Sequence, residues 1–194
     1  MRDDQLRPRL EGKVVTLEPL TPDHADGLRA AAADERIWRW MITTDVEAWI
    51  AYALAATDMY LFAVLKDGVV VGSTSYLNVV PEHRRLEIGN TWNNPSTWGT
   101  GVNTEAKYLL LRHAFEALGM HRVEFKTDAK NERARAALAA IPSEFEGIHR
   151  KHMVVRDNER RDSAWYAVID DDWPEVKAAL EHRLESKRRL EAKG

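Results

Sequence analysis

Trp98-Gly99-Thr100-Gly101-Val102-Asn103-Thr104 stands between a strand-like run, Leu86 to Trp92, and a long apolar stretch, Val102 to Leu118. A loop at such a junction offers unpaired amides and the positive end of a helix dipole, and a pyrophosphate can be held there. Its glycines allow the backbone to approach an anion closely. Taken alone, Gly-x-Gly favours the simpler reading of a strand-to-helix turn, so the surrounding chain has to decide. The third glycine of a dinucleotide fingerprint is replaced by Thr104, and the Lys-Ser/Thr pair of a P-loop is missing. Dinucleotide and nucleoside-triphosphate readings lose ground on that basis.

Outward from the loop, Val102 to Leu118 carries apolar residues on nearly all sides (Ala106, Leu109, Leu110, Leu111, Ala114, Phe115) and ends at Gly119, which predicts a buried helix with a glycine cap. Upstream, Val14 to Leu17 reads as a strand, and Thr21-Pro22 starts a helix running to about Ala33. Thr44 and Glu47 have the capping-box spacing for a second helix to about Ala56. Tyr60 to Val64 and Val69 to Val71 flank Asp67-Gly68 as a hairpin. Downstream, His121 to Thr127 alternates as a strand, and Asn131 to Ile141 is an alanine-rich helix stopped by Pro142. Phe145 to Val155 and Ala164 to Ile169 are two more strands, joined by a polar turn, Arg156 to Asp162. Trp173 to Ala192 closes the chain as an amphipathic helix. The order predicts an α/β fold of the α+β kind, a mixed sheet with helices on both faces.

The 194 residues suit one domain, with residues 1–12 as an N-terminal arm and 172–194 as a C-terminal helix. The 44% hydrophobic and 30% charged fractions are those of a globular protein. Basic and acidic residues, 28 and 31, nearly cancel to −3, so no global field recruits nucleic acid or an anionic membrane. There is no cysteine, which removes disulfides, thiolate metal sites and a cysteine nucleophile. Without a signal-like start or a run of roughly 20 apolar residues, the expected compartment is the cytoplasm.

Several motifs in order resemble the GNAT superfamily of acyl-CoA N-acyltransferases, and within it the branch of ribosomal-protein N-terminal acetyltransferases (RimJ/RimL-type). They are Leu10-Glu11-Gly12-Lys13-Val14 with Leu17-Glu18-Pro19-Leu20, Glu87-Ile88-Gly89-Asn90-Thr91-Trp92, Trp98 to Ala106, Arg122-Val123-Glu124, Asn131, and Phe145-Glu146-Gly147. The resemblance covers nearly the whole chain. It implies a mostly antiparallel sheet that splays between the Leu86–Trp92 and His121–Thr127 strands, with acetyl-CoA as co-substrate in the wedge and no metal. It places the pantetheine arm on Thr91, Trp92 and Asn93, the pyrophosphate on the amides of Trp98, Gly99, Thr100, Gly101, Val102 and Asn103, and a cofactor contact on Asn131. Three features depart from the family pattern, one being Pro142 where the family has a helix-ending glycine. Ser96 replaces a glutamine or arginine before the loop, and Ala134 and Ala137 occupy the stretch where a serine or tyrosine acid often follows Asn131.

Acetyl transfer needs a neutral amine, a polarised thioester carbonyl and a thiolate able to leave. Glu87 is the candidate base, sharing a strand face with Gly89 and Thr91 by alternation. Its structural alternative is an ion pair with Arg84, Arg85 or Arg122. A backbone amide near Gly89 to Thr91 would serve the oxyanion if the strand bulges there, as the resemblance implies. Tyr76, Tyr108 and Ser143 are possible acids without a diagnostic position. Trp38 and Trp40, in Ile37-Trp38-Arg39-Trp40-Met41, either wall the acceptor pocket or plug the core. Of the seven histidines, His149 and His152 should point to opposite faces of a strand, which argues against a shared metal. Lys187-Arg188-Arg189 reads as a solvated helix face. The expected activity is direct acetyl transfer to a primary amine, either a protein N-terminus or a small molecule, by a monomer or homodimer. A detoxifying acetyltransferase acting on an antibiotic or aminoacyl-nucleotide amine, and a non-catalytic acyl-CoA sensor, are the alternatives.

Overall fold

The structure, a computed structural model, describes residues 1–191, so the last three positions of the expected C-terminal helix lie outside the described residues. In chain order the elements are α1 (Asp3–Leu6), β1 (Leu10–Glu11), β2 (Thr16–Pro19), α2 (Ala25–Ala31), α3 (Val46–Ala55), β3 (Met59–Lys66), β4 (Val69–Val80), β5 (Arg85–Asn93), α4 (Val102–Arg112), β6 (Arg122–Asp128), α5 (Glu132–Ala139), β7 (Glu144–Val155), β8 (Glu159–Ile169) and α6 (Trp173–Glu191). The strands form one eight-stranded sheet in the order β1-β2-β3-β4-β5-β6-β8-β7. All neighbours are antiparallel except β5 and β6, which pair in parallel only at Arg85–Arg122, Leu86–Val123 and Glu87–Glu124. Beyond Glu87 and Glu124 the two strands part, and a wedge opens in the middle of the sheet.

Each face of the sheet has its own core. On one face Phe62, Tyr76, Leu86, Ile88, Val123 and Phe125 meet α4 and α6 through Leu109, Leu110 and Leu180. On the other, Leu61 and Trp92 meet α2 and α3 through Leu28, Trp49 and Ile50. The all-round apolar character of α4 has its explanation here: the helix is covered by the sheet on one side and by α6 on the other. Its last turn, His113–Ala117, widens into a π-helix before Gly119 turns the chain at φ 63°.

Polar residues tie the N-terminal segment to this core. The buried Glu105 carboxylate of α4 accepts from the amides of Lys13 (3.0 Å), Val14 (2.5 Å) and Val15 (2.7 Å). A side chain at Gly12 would run into that carboxylate. The motif Gly12-Lys13-Val14 is thus a backbone cradle for Glu105.

Several local expectations change. Residues 1–12 form a short helix with Leu6 buried, then a strand, rather than an arm. The N-cap of α3 is Asp45, whose carboxylate accepts from Glu47 (2.9 Å) and Ala48 (3.1 Å), because Glu47 is drawn away to Arg29. β8 begins at Glu159, so Arg160, Arg161 and Asp162 belong to a strand and not to a turn. No helix among the described residues is long and apolar enough to cross a membrane.

Candidate active site

The wedge is a cleft of about 490 Å³ between the diverging ends of β5 and β6, floored by α4 and closed at its sides by the loop at 97–100 and by α5. Its shape depends on one extra residue in β5. Ser75 lies opposite Gly89 and Ser73 opposite Trp92, so two steps on β4 face three on β5, and Asn90 takes φ 47°. This is a β-bulge, and it reverses the side-chain alternation beyond it. Glu87 and Gly89 share the face of α2 and α3, where a Cβ on Gly89 would stand 3.0 Å from Glu87 Oε1. Thr91 does not share it. Its hydroxyl lies on the α4 face, 2.8 Å from Thr74 Oγ1 and 2.7 Å from Lys107 Nζ.

Glu87 is 1% exposed and lines the cleft. Its Oε2 accepts from Lys126 Nζ (2.6 Å) and Asn78 Nδ2 (2.8 Å), not from the arginines considered from the sequence. Arg85 and Arg122 bond Glu124 instead, and Arg84 meets His121. On the opposite face of β5, Lys107 of α4 is 5% exposed and also lines the cleft. Its amine donates to Thr91 and lies 5.8 Å above the Phe125 ring. Burial pushes its pKa down to about 7, against the opposing pull of Glu87. Sequence reading missed Lys107. The available signal was a lysine inside an otherwise apolar helix face, five residues past Val102.

The three hydroxyls weighed as acids are occupied elsewhere. Tyr76 is fully buried, donates to the Leu110 carbonyl (2.6 Å) and has its pKa raised well above the usual range by burial. Tyr108 bonds Glu181, and Ser143 bonds the Leu138 carbonyl. None of them lines the cleft.

In the loop, the amides of Trp98, Thr100 and Val102 are spent internally, on the Pro95 carbonyl, the Thr97 carbonyl and Thr100 Oγ1. Those of Gly99, Gly101 and Asn103 have no acceptor among the described residues. Gly99, at φ 80°, has open space where a side chain would stand. Gly101 corrects the expectation, because its Cβ position faces Val14 (3.4 Å) and Leu184 (4.0 Å) rather than the cleft. Val102 is fully buried in the core beneath. Neither residue lines the cleft, so only their main chain is available to a ligand. Lys187 of α6 bonds the Gly99 and Thr100 carbonyls, so part of the basic run fastens the loop.

Positive charge reaches the loop from outside it. The guanidinium of Arg133 on α5 stacks 3.3 Å from the Trp98 ring, and that of Arg36 lies 5.5 Å from the same ring. Ser96 points to Asn94 Oδ1 (2.7 Å). Asn131 caps α5 by accepting from Ala134 N (3.1 Å) and lines the cleft beside Ala134 and Ala137. Asn90 Nδ2, Trp92 Nε1 and Asn93 Oδ1 are buried without partners along β5. A ligand carrying amides fits such an edge, because it can satisfy donors and acceptors that the fold leaves open.

Across the cleft the two tryptophans separate. Trp38 is a core residue, 6% exposed, packed on Trp92 and donating to the Ala32 carbonyl (3.0 Å). Trp40 is half-buried, lines the cleft and stacks under Arg39. A second bulge, at Lys151 (φ 50°), brings His149 and His152 to one side of β7, with ring centroids 5.7 Å apart against Trp165. Strict alternation had placed them on opposite faces. No cluster of three or more His, Cys, Asp or Glu suited to a metal occurs among the described residues.

Residues 15–141 match the acetyltransferase (GNAT) domain family. No curated protein matches the chain by sequence. Among solved structures, a GCN5-related N-acetyltransferase from Brucella melitensis is 33% identical, with TM-score 0.86 over 92% of this chain and 86% of that one. A candidate acetyltransferase from T. thermophilus is 39% identical, with TM-score 0.83 over 91% and 96%. Mycobacterium smegmatis RimJ, solved in complex with CoA-disulfide, is 25% identical, with TM-score 0.76 over 92% of each chain. With the family match spanning β2 to the end of α5, and so the whole cleft except its β7–β8 wall, this chain belongs to the GNAT family of acetyltransferases.

Proposed function

We propose that the chain transfers an acetyl group from acetyl-CoA to a primary amine by direct attack, with the amine on the α2–α3 face of the wedge and the donor on the α4 face. The observation that carries this reading is the placement of Glu87 and Lys107 on opposite faces of one strand, with the Asn90 bulge between them. When bound, acetyl-CoA supplies an acetyl thioester whose leaving group is a thiolate.

The residues present fit that co-substrate. The open amides of Gly99, Gly101 and Asn103, at the N-terminus of α4, suit a pyrophosphate, and Arg133 replaces the positive charge that Ser96 does not provide, Arg36 being paired with Asp34. The main-chain edge of β5 from Thr91 to Asn93, where it has parted from β6, suits the pantetheine amides. Glu87 takes a proton from the incoming amine, directly or through water, with Oε1 as the freer oxygen because Lys126 and Asn78 hold Oε2. The backbone at the bulge is out of the β4 ladder and can donate to the carbonyl oxygen. Lys107 Nζ holds a proton for the departing sulfur. Its pKa of about 7 lies below the roughly 8.5 of an ordinary thiol, so the transfer runs downhill by about 2 kcal/mol. Lys107 thereby takes the place of the acid that Ala134 cannot be.

Release of free CoA is measured with a panel of amines, including N-terminal peptides and small polyamines. Amine-dependent release with N-acetyl product is expected, whereas binding of acetyl-CoA without release from any amine would replace the enzyme by a sensor.

A further inference from the structure

Arg161 is 9% exposed and lines the cleft near the end where β8 begins. On the β6–β8 ladder Lys126 faces Trp165 and Asp128 faces Ser163, so Arg161, two residues earlier on β8, shares their face of the sheet. That is the face of Glu87, which Lys126 bonds. Arg156 ties the same corner to the Trp40-Met41 segment through the Met41 carbonyl (2.6 Å). Arg161 therefore belongs to the acceptor half, away from the Trp98–Asn103 loop.

Its guanidinium has no hydrogen-bond or ion-pair partner among the described residues, and Nε is a buried donor left unsatisfied. Asp128 and then Glu87 pull on it electrostatically, but neither touches it: Glu87 is engaged by Lys126 and Asn78, and the buried Asp128 makes its side-chain bond to the Lys130 amide (2.8 Å) and none to Arg161. The other groups around it do not neutralise it. Arg156 is cationic, and burial together with Lys126, His149 and Arg161 holds His152 below the usual imidazole range, hence neutral. Native proteins seldom bury a charge without pairing it, and a guanidinium is a planar fork of donors that matches an oxyanion in two-point contact.

We propose that the amine acceptor carries its own oxyanion, a carboxylate or a phosphate monoester, and that Arg161 binds this group while the amine is presented to Glu87. The inference rests on the acetyl-transfer reading of the cleft. It narrows the acceptor to amino acids, peptides acidic near their N-terminus, or amino-phosphates, and it disfavours plain polyamines, which the cationic Arg161 and Arg156 repel.

The test uses matched pairs: β-alanine with its amide, the Ala-Glu dipeptide amide with the Ala-Gln dipeptide amide, and phosphoethanolamine with ethanolamine. Each is measured by acetyl transfer and by melting temperature, on the parent and on Arg161→Gln and Arg161→Lys. In the parent, the anionic member of at least one pair is favoured by about 10–100-fold in kcat/KM and raises the melting temperature, as expected for a charge-assisted contact. Which pair responds identifies a carboxylate or a phosphate. In Arg161→Gln the ratio falls toward one and the anion-dependent shift disappears. The ligand-free variant melts no lower than the parent, because an unpaired buried charge has been removed. Should Arg161→Gln fail to fold, Arg161→Lys, which keeps the charge and loses the fork, must still show a reduced ratio. Equal turnover and equal shifts for both members of every pair, or an undiminished preference in the variants, overturn the site and leave acetyl transfer standing. An Arg161-dependent shift without CoA release from any amine supports the oxyanion site and removes the transfer reading.

Discussion

Lys107→Met tests whether the buried amine of α4 is chemically active or merely tolerated. Its pKa falls from 10.5 to about 7 on folding, which corresponds to about 5 kcal/mol of penalty for keeping the ammonium charged in the native state. The direction with pH follows from proton counts. Below pH about 7 both states hold the proton and the full penalty applies. Between pH 7 and 10.5 the unfolded chain binds more protons than the native one, so the parent gains stability as pH rises. Methionine keeps the length, removes the charge and loses the bond to Thr91, worth about 1 kcal/mol. The variant should therefore be about 3–4 kcal/mol more stable than the parent at pH 6, and slightly less stable at pH 10.5. Urea unfolding of both proteins at about pH 6, 8 and 10 measures this directly. Turnover should move the other way. Loss of a general acid lowers kcat by about 10²–10⁴, and the alkaline fall in the parent's rate, expected above pH about 7, should vanish from the variant's profile. A stability difference that is the same at both ends of this pH range would falsify the perturbed amine, and an unchanged alkaline limb would remove its role as acid.

Glu87→Gln should lower kcat by about 10²–10⁴ with partial recovery at high pH, measured by CoA release; a rate unchanged across pH leaves Glu87 as the ion-pair partner of Lys126. Gly101→Val should reduce stability by about 1–3 kcal/mol, since the new side chain meets Val14 and Leu184, and a chemical melt that matches the parent contradicts that packing. Trp38→Ala and Trp40→Ala should part company: the first costs about 3–5 kcal/mol through a core cavity, whereas the second costs less than about 2 kcal/mol and raises the acceptor KM several-fold. Reversed behaviour in unfolding and steady-state measurements would exchange their roles.

What could be read from the sequence were the features governed by local periodicity. The apolar faces of α4, the Asp67-Gly68 hairpin and the strand-loop-helix order all follow from side-chain spacing, and the resemblance joined them into a splayed sheet. The N-cap of α3 was misplaced by one residue because Thr44 and Asp45 are both competent caps, and the choice is made by Arg29, distant in sequence, which captures Glu47. Arg161 falls in the expected polar turn because four charged residues in succession, Glu159 to Asp162, look solvated. Pairing with β7 across Met153 overrides that composition and carries the guanidinium into the cleft.

The site itself was hidden by bulges, and a bulge cannot be deduced from alternation because it is the interruption of alternation. One extra residue at Asn90 moves Thr91 from the face of Glu87 to that of Lys107. Without it, Thr91 would stand beside Glu87 and Lys107 would have no polar partner in the core, an arrangement that burial of an amine does not permit. In β7 two extra residues between His149 and Met153, around Lys151, turn His149 and His152 onto Trp165, beside the strand that carries Arg161. Both interruptions lie in strands that line the wedge, and the one at Asn90 sets Glu87 and Thr91, four residues apart, on opposite faces of β5. On the proposed reading the two substrates approach one carbonyl carbon from opposite sides of the sheet. The donor-side proton is then held at Lys107 and the acceptor-side base is Glu87, with strand β5 between them.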